Sequence, residues 1–377
     1  MCMKRNKQTR PGWVWWLWCA LPAVLAVALY LILPHTPWVA EWIFARGVFR
    51  VVAFPVEWLM SLIPFSVTEA AVVLGIPAIP VVLTIWIVRL CRHRDRRRRI
   101  FSRGVRTVAL GLSLALLVFM VMDGANFSRY TVTQLMDLPE REYSLEELKA
   151  VCMDLAEKAS AAREAVAEDE NGCMVLSEGL YASLRRADDG YRALQDTYPF
   201  LRSAVWQVKP VLLSHQWSYT GYTGVYCPWL GESSVNVDIT PAEIGHTAAH
   251  EIAHTAGIAR EDECNFLGYL ACVHSGSPDY VYSGYLAALI YCNNALYKNS
   301  KEAYQEVIQT CSAGVIRDIR NQQKYWKQFE GPTQDASQQF NDTFIKVNGV
   351  EDGVISYNQM VRLVLRYYDQ QGWLPTT

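Results

Sequence analysis

The chain has 377 residues, 51% of them hydrophobic and 19% charged, with a formal net charge of −2. That length allows two or more structural units, and the near-neutral balance gives no electrostatic case for nucleic acid, which is excluded as a partner. Uncharged runs crowd the first third, whereas the remainder has the make-up of an ordinary soluble domain. Ten cysteines without a Cys-x-x-Cys pair give no tidy disulfide framework, and most of the seven beyond residue 150 are expected as small core residues.

Lys4, Arg5, Lys7 and Arg10 precede an uncharged stretch from Trp13 to Leu33 that is long enough to span a bilayer, with tryptophans at its start where an aromatic belt belongs. From His35 to Ser66 the chain stays apolar but is interrupted by Glu41, Arg46, Arg50, Pro55 and Glu57, the pattern of an interfacial amphipathic segment. Glu69–Leu90 and Val105–Met122 read as second and third spans, the second kinked at Pro77 and Pro80. The arginine-rich hairpin between them, CRHRDRRRRIFSRG, is explained by positive-inside orientation. Tail and hairpin then both lie in the cytoplasm. This describes a multi-pass protein of the plasma (inner) membrane, with the lipid bilayer as partner, a membrane domain over residues 1–123 and an extracytoplasmic domain over 124–377.

The second domain reads as mainly α with a small β element. Ser144-Leu145-Glu146-Glu147 is a capping box opening a helix to about Val166, and Glu178–Tyr198 reads as another helix. A Gly-, Tyr- and Ser-rich stretch follows and ends in the alternating Ser233–Val237, a short strand. Further helices are expected at Pro278–Tyr297, Lys301–Phe329, Gln334–Val347 and Tyr357–Gln371, and Asp352-Gly353 reads as a turn.

The chemistry concentrates in Thr240–Cys272, around His250-Glu251-Ile252-Ala253-His254. Two histidines four apart leave one helix face together and can hold one Zn²⁺, while Glu251 sits where it can deprotonate a water at the metal without being a ligand. Thr240 caps this helix, Pro241 takes its first position, Glu243 supports the cap and Gly257 supplies the left-handed residue that ends it. A catalytic zinc needs a third protein ligand. Glu261, near the start of the next helix, can face back to the metal, and Asn265 four residues on shares that face and can orient a ligand. Glu263 is the runner-up and projects roughly oppositely; Asp262 and Cys264 are weaker choices. His246 reads as a neighbour of the site or a satisfied core histidine, and His215 and His274 as structural or surface residues.

Residues 250–265, HEIAHTAGIAREDECN, resemble the signature of gluzincins in which His-Glu-x-x-His is followed by Glu-x-x-x-Asp/Asn, as in thermolysin-like and membrane-anchored HtpX/CAAX-protease-like peptidases. They also resemble an uncharacterised bacterial membrane-protein family that joins N-terminal spans to a zincin-like domain. The resemblance implies zinc on His250, His254 and Glu261, with Glu251 as general base. Two departures stand out: only six residues separate His254 from Glu261, and Asn265 stands where Asp is common. The spacer with Gly257 also resembles the metzincin pattern, but Arg260 occupies that third-ligand position and cannot bind metal.

The expected function is therefore a membrane-anchored zinc metallopeptidase acting on a protein or peptide substrate. A substrate strand would pair beside the motif helix, with Val235, Asn236 and Val237 as candidates. Tyr357 and Arg362 are possible oxyanion donors. A rival from another class is a non-catalytic zincin-fold membrane sensor or assembly factor; a third reading is a metal-free protein with a coincidental motif.

Overall fold

Three helices are long and apolar enough to cross a membrane, Val14–His35, Val67–Arg92 and Arg94–Met122. The computed structural model describes residues 12–205, 207–348 and 357–374. In it these runs hold α1 (Gly12–Ile32), α3 (Val67–Arg92) and α4 (Arg97–Met122), with α2 (Arg50–Ser61) between the first two. Leu17, Val24, Leu74, Val82, Val108 and Leu112 are exposed, as side chains facing lipid would be. α1 packs along α4, where Ser113 Oγ accepts the Ala23 backbone N–H at 2.8 Å. α3 continues through Pro77 and Pro80, and the Thr84 hydroxyl donates to the Pro80 carbonyl at 2.8 Å.

The segment before α2 is π-helical over Val39–Phe49. One side of the whole stretch exposes Trp38, Trp42 and Trp58, while the other buries Glu41 and Glu57 completely. The charges that interrupt this apolar sequence therefore point into protein, and each has a partner there.

Beyond Met122 the chain is mainly helical. α5 (Val132–Leu135) precedes α6 (Leu145–Arg163), which opens on the expected capping box, Ser144 N–H donating to Glu147 Oε2 at 2.8 Å. The helix expected over Glu178–Tyr198 is instead two short ones, α7 (Leu180–Arg185) and α8 (Asp189–Leu194). Tertiary contacts break it. The Tyr280 hydroxyl takes the Ser183 carbonyl at 2.8 Å, and Gly190 lies so close to the Ala271 backbone that any side chain there would collide.

The sheet has three strands, β1 (Lys209–Val211), β2 (Gly224–Cys227) and β3 (Glu232–Asn236), in the order β1-β3-β2. β3 pairs parallel with β1 and antiparallel with β2, so that Val235 lies opposite Pro210 and Gly224. The short α9 (Ser214–Ser218) fills the connection between β1 and β2. The strand expected at Ser233–Val237 thus exists, but it is the buried middle strand and has no free edge; β2 is at the edge.

Three helices follow, α10 (Pro241–Thr255), which packs on β2 and β3, and α11 (Glu261–His274) and α12 (Pro278–Asn299), which pack on α10 and on each other. Ile252, Phe266, Leu267, Leu270, Tyr282 and Leu289 are fully or almost fully buried among them. The helix expected at Lys301–Phe329 divides into α13 (Lys301–Thr310) and α14 (Ala313–Lys327), because Ser312 accepts the Val315 N–H as a fresh cap and donates its own N–H to Ser160 Oγ at 2.9 Å. α15 (Pro332–Val347) and α16 (Tyr357–Gln370) follow. The turn expected at Asp352-Gly353 lies outside the described residues.

Candidate metal centre

α10 is set by its ends. Thr240 and Glu243 complete a capping box, with Thr240 Oγ1 donating to Glu243 Oε2 at 2.7 Å, and Pro241 takes the first position. At the other end Gly257 has φ +79°, and the Ile258 and Gly257 N–H groups return to the carbonyls of Ala253 and His254. This is a Schellman closure, which needs a residue free to enter the left-handed region. It also turns the Ile258 carbonyl towards His254, whose Nδ1 donates to it at 2.9 Å. Next, α11 returns close to α10 at Gly268, where a Cβ would press on the His250 backbone, and this brings Asn265 Oδ1 to 3.0 Å from His250 Nδ1.

With both Nδ1 atoms engaged as donors, each imidazole presents a lone pair at Nε2 when it is neutral. Both Nε2 atoms face the same carboxylate: His250 Nε2 is 3.1 Å from Glu261 Oε2, and His254 Nε2 is 3.8 Å from Glu261 Oε1. The other acids are placed differently. Glu263 Oε1 accepts the Val132 N–H at 2.8 Å and meets Arg260 at 3.3 Å, so the runner-up ligand faces away from the histidines. Cys264 lies close enough to both histidines to count as a possible metal donor. Its Sγ, however, stands 3.5 Å from His254 Nδ1, the nitrogen already committed to Ile258, and burial pushes its thiol well above the ordinary range. Glu261 is the better partner for the two free lone pairs.

The charges at this point oppose one another. Burial works against an imidazolium at His250, but the hydrogen bond and charge of Glu261 outweigh it and raise His250 to about 9. Burial also disfavours charge on Glu261, yet His250 holds that carboxyl down at about 2. Burial lowers His254 to about 4. His250 and Glu261 thus each favour the charged form of the other. Glu251 is 3% exposed, burial raises it to about 8, and its Oε2 has no hydrogen-bond partner among the described residues. β2 runs directly over it: a methyl group at Gly224 would strike Glu251 Oε1. His246, also buried, holds its Nε2 at 3.0 Å from the Asn265 carbonyl and is a satisfied neighbour of the site. His274 bonds the Leu270 carbonyl and His215 pairs with Asp238 at the surface; Arg362 is exposed on α16, and the side chain of Tyr357 lies outside the described residues.

Four further groups reach the centre that no sequence pattern singled out. The Tyr226 ring stacks on His254, with centroids 5.8 Å apart and planes inclined by 17°. Its hydroxyl donates to Glu57 Oε1 at 3.1 Å, and burial pushes the Glu57 carboxyl well above its usual range. Asp123, just past α4, lines the same cleft and is raised to about 7 by burial and by the charge of Glu261. Arg129 donates to the Gly257 carbonyl at 2.8 Å and is clamped to Glu41 by two hydrogen bonds of 2.8 and 3.0 Å. The one available signal was the presence of Glu41 and Glu57 in an apolar stretch, since acids in such a place need a buried partner.

The site opens into a cleft of about 1450 Å³, walled by β2, α10, α12 and α15 and by the end of α4. A sequence profile for a family of unknown function, DUF3810, matches residues 44–365. The chain belongs to the DUF3810 family. The matched stretch includes Phe49, Glu57, Asp123 and every residue of the centre, so in this family member the membrane-proximal segment and the histidine helix fall under one profile. No curated protein and no solved structure gives a significant match to the chain.

Proposed function

We propose that this DUF3810 protein is a zinc metallopeptidase of the gluzincin kind, anchored in the plasma (inner) membrane with its helical domain on the extracytoplasmic side. The observation that carries the reading is the convergence of two Nε2 atoms on the Glu261 carboxylate, next to a buried glutamate with an oxygen that has no hydrogen-bond partner among the described residues. The donor set suits zinc. His250, His254 and Glu261 make two nitrogens and one oxygen, with carbonyl and amide groups fixing the far side of each ring, and three protein ligands are what a catalytic zinc takes.

Zn²⁺ held there would supply Lewis-acid polarisation of the scissile carbonyl and lower the pKa of the attacking water. Glu251 Oε2, buried and without a hydrogen-bond partner among the described residues, would accept the proton of that water and pass it to the leaving amine. The Glu57–Tyr226 pair keeps the His254 ring in plane. β2, whose outer edge has no strand beyond it among the described residues, offers backbone groups to an extended peptide, the role expected for Val235–Val237 before β3 proved to be the middle strand. The arginine run Arg96–Arg99 between the second and third apolar helices supports the orientation.

The test is cleavage of a peptide library by the purified, zinc-loaded full chain. Glu251→Gln should lower the rate about 10²- to 10⁴-fold while leaving zinc bound. Equal cleavage by both proteins would exclude this mechanism, and zinc without any cleavage by the native chain would favour a binding role.

A further inference from the structure

We propose that the substrate arrives through the lipid bilayer: a polypeptide whose membrane-embedded segment lies against α4 and whose emerging chain is cut at the centre. This rests on the peptidase reading and adds the substrate class. The cleft that contains His250 and Glu251 continues without a break to Leu112, Leu116 and Phe119 on α4. α4 belongs to the third of the apolar helices. Leu112 lies ten residues before Met122, which at the helical rise is roughly 15 Å down the helix, about half the thickness of a hydrocarbon core. Leu112 and Leu116 are 69% and 41% exposed, so neither α1 nor α3 covers this face.

Two other elements meet the groove. The turn between β2 and β3 descends beside α4, and the Trp229 indole N–H donates to the Ala115 carbonyl at 2.9 Å, with the ring against Phe119. α15 roofs the opposite side: Phe344 packs edge-on to Phe119 and Phe127, and the Tyr30 hydroxyl at the end of α1 holds the Val347 carbonyl at 2.8 Å. A peptide from the aqueous phase gains nothing from apolar wall at that depth, whereas a membrane-embedded segment does. A phospholipid is a poorer occupant, because no Lys or Arg is among the described residues lining the cleft to hold its phosphate.

The sheet edge links groove to centre. Gly224 at one end of β2 touches Glu251, and beyond the other end Trp229 rests on α4. A chain leaving the groove and pairing with this edge would cover five residues, about 16 Å in extended form, before reaching Glu251. Cleavage is therefore confined to the stretch next to the membrane.

The experiment places the full chain in liposomes with two quenched-fluorescent probes of identical randomised sequence, each fused to a Leu/Ala membrane anchor of about 20 residues. One carries the cleavable stretch beside the anchor; the other holds it behind a flexible Gly/Ser spacer of about 30 residues. The near probe should be cut about tenfold faster, within about eight residues of the anchor, since both probes share the same membrane confinement. Filling the groove with Leu112→Trp and Leu116→Trp should bring the two rates together, with circular dichroism and zinc content reporting that the variant is folded. Equal rates on the native protein, or a cut site indifferent to the anchor, would overturn the inference and leave the peptidase reading standing. Failure of the zinc-loaded protein to cut either probe or the unanchored peptides would overturn both.

Discussion

His250 and His254 differ from their neighbour His246 in which ring nitrogen is turned to Glu261. Their Nδ1 atoms are spent on Asn265 and Ile258, so Nε2 faces the carboxylate, whereas His246 spends Nε2 on the Asn265 carbonyl. Asn265→Ala removes the partner that sets the tautomer of His250, and zinc affinity should fall about 10- to 100-fold in competition with a chromophoric chelator. An unchanged affinity would mean that His250 is not a ligand. The two candidate glutamates should separate cleanly. Glu261→Gln should weaken zinc binding, while Glu263→Gln should keep the metal and lower stability by about 1–3 kcal/mol, because the Val132 N–H loses its charged acceptor. That the two carboxylates point apart was legible in the sequence, since residues two apart on a helix leave opposite faces. Tyr226 and Glu57 were not, because a ring stack and a hydrogen bond across 169 positions leave no local pattern.

At the scale of elements, the apolar helices and the sheet cap one another. Glu232 on β3 accepts the backbone N–H groups of Val67 and Thr68 at 3.0 and 2.8 Å, at the start of α3, and pairs with the buried Lys209. Glu69 in turn accepts the N–H groups of Leu212 and Leu213 at 2.8 and 2.7 Å. Lys209→Met leaves Glu232 without its counter-charge and should cost about 3–5 kcal/mol, read as a lower denaturation midpoint. Burial raises the Glu232 carboxyl, but Lys209 and the helix N–H groups outweigh it and hold it below the ordinary glutamate range. Its stabilisation is thus complete above the unfolded pKa and is lost as pH falls through the lower folded value. The native protein should lose stability on acidification in that range and Lys209→Met should lose less; parallel curves would show that the pair contributes nothing. The strand itself was legible, but its place was not. Ser233, Ser234 and Asn236 have the polarity of solvent-facing residues, yet all are buried, Ser233 on the Glu251 carbonyl, Ser234 on Ser66 and Asn236 on Ser218. Alternation marks two faces and says nothing of which is wet when the polar side chains find internal partners.

Across the whole molecule, the membrane-proximal segment holds the centre in place. Arg129, held by Glu41, donates to the Gly257 carbonyl, Phe49 lies beneath Gly257, and Glu57 reaches His254 through Tyr226. Composition and hydropathy were enough to find the three apolar helices and the mainly helical remainder, because those depend on averages over many residues. The grip between the two depends on single side chains far apart in the chain, which averages erase. Glu41→Gln should therefore weaken zinc retention although Glu41 touches no ligand, measured as faster loss of the metal to a chelator; a rate equal to the native one would show the two regions to be independent. Whether His250, His254 and Glu261 hold zinc is read by X-ray absorption at the zinc edge on the purified full chain. The expected result is about one zinc per chain with only nitrogen and oxygen neighbours at about 2.0–2.2 Å. A sulfur neighbour at about 2.3 Å, which would put Cys264 in the site, or a protein that takes up no zinc, would contradict it.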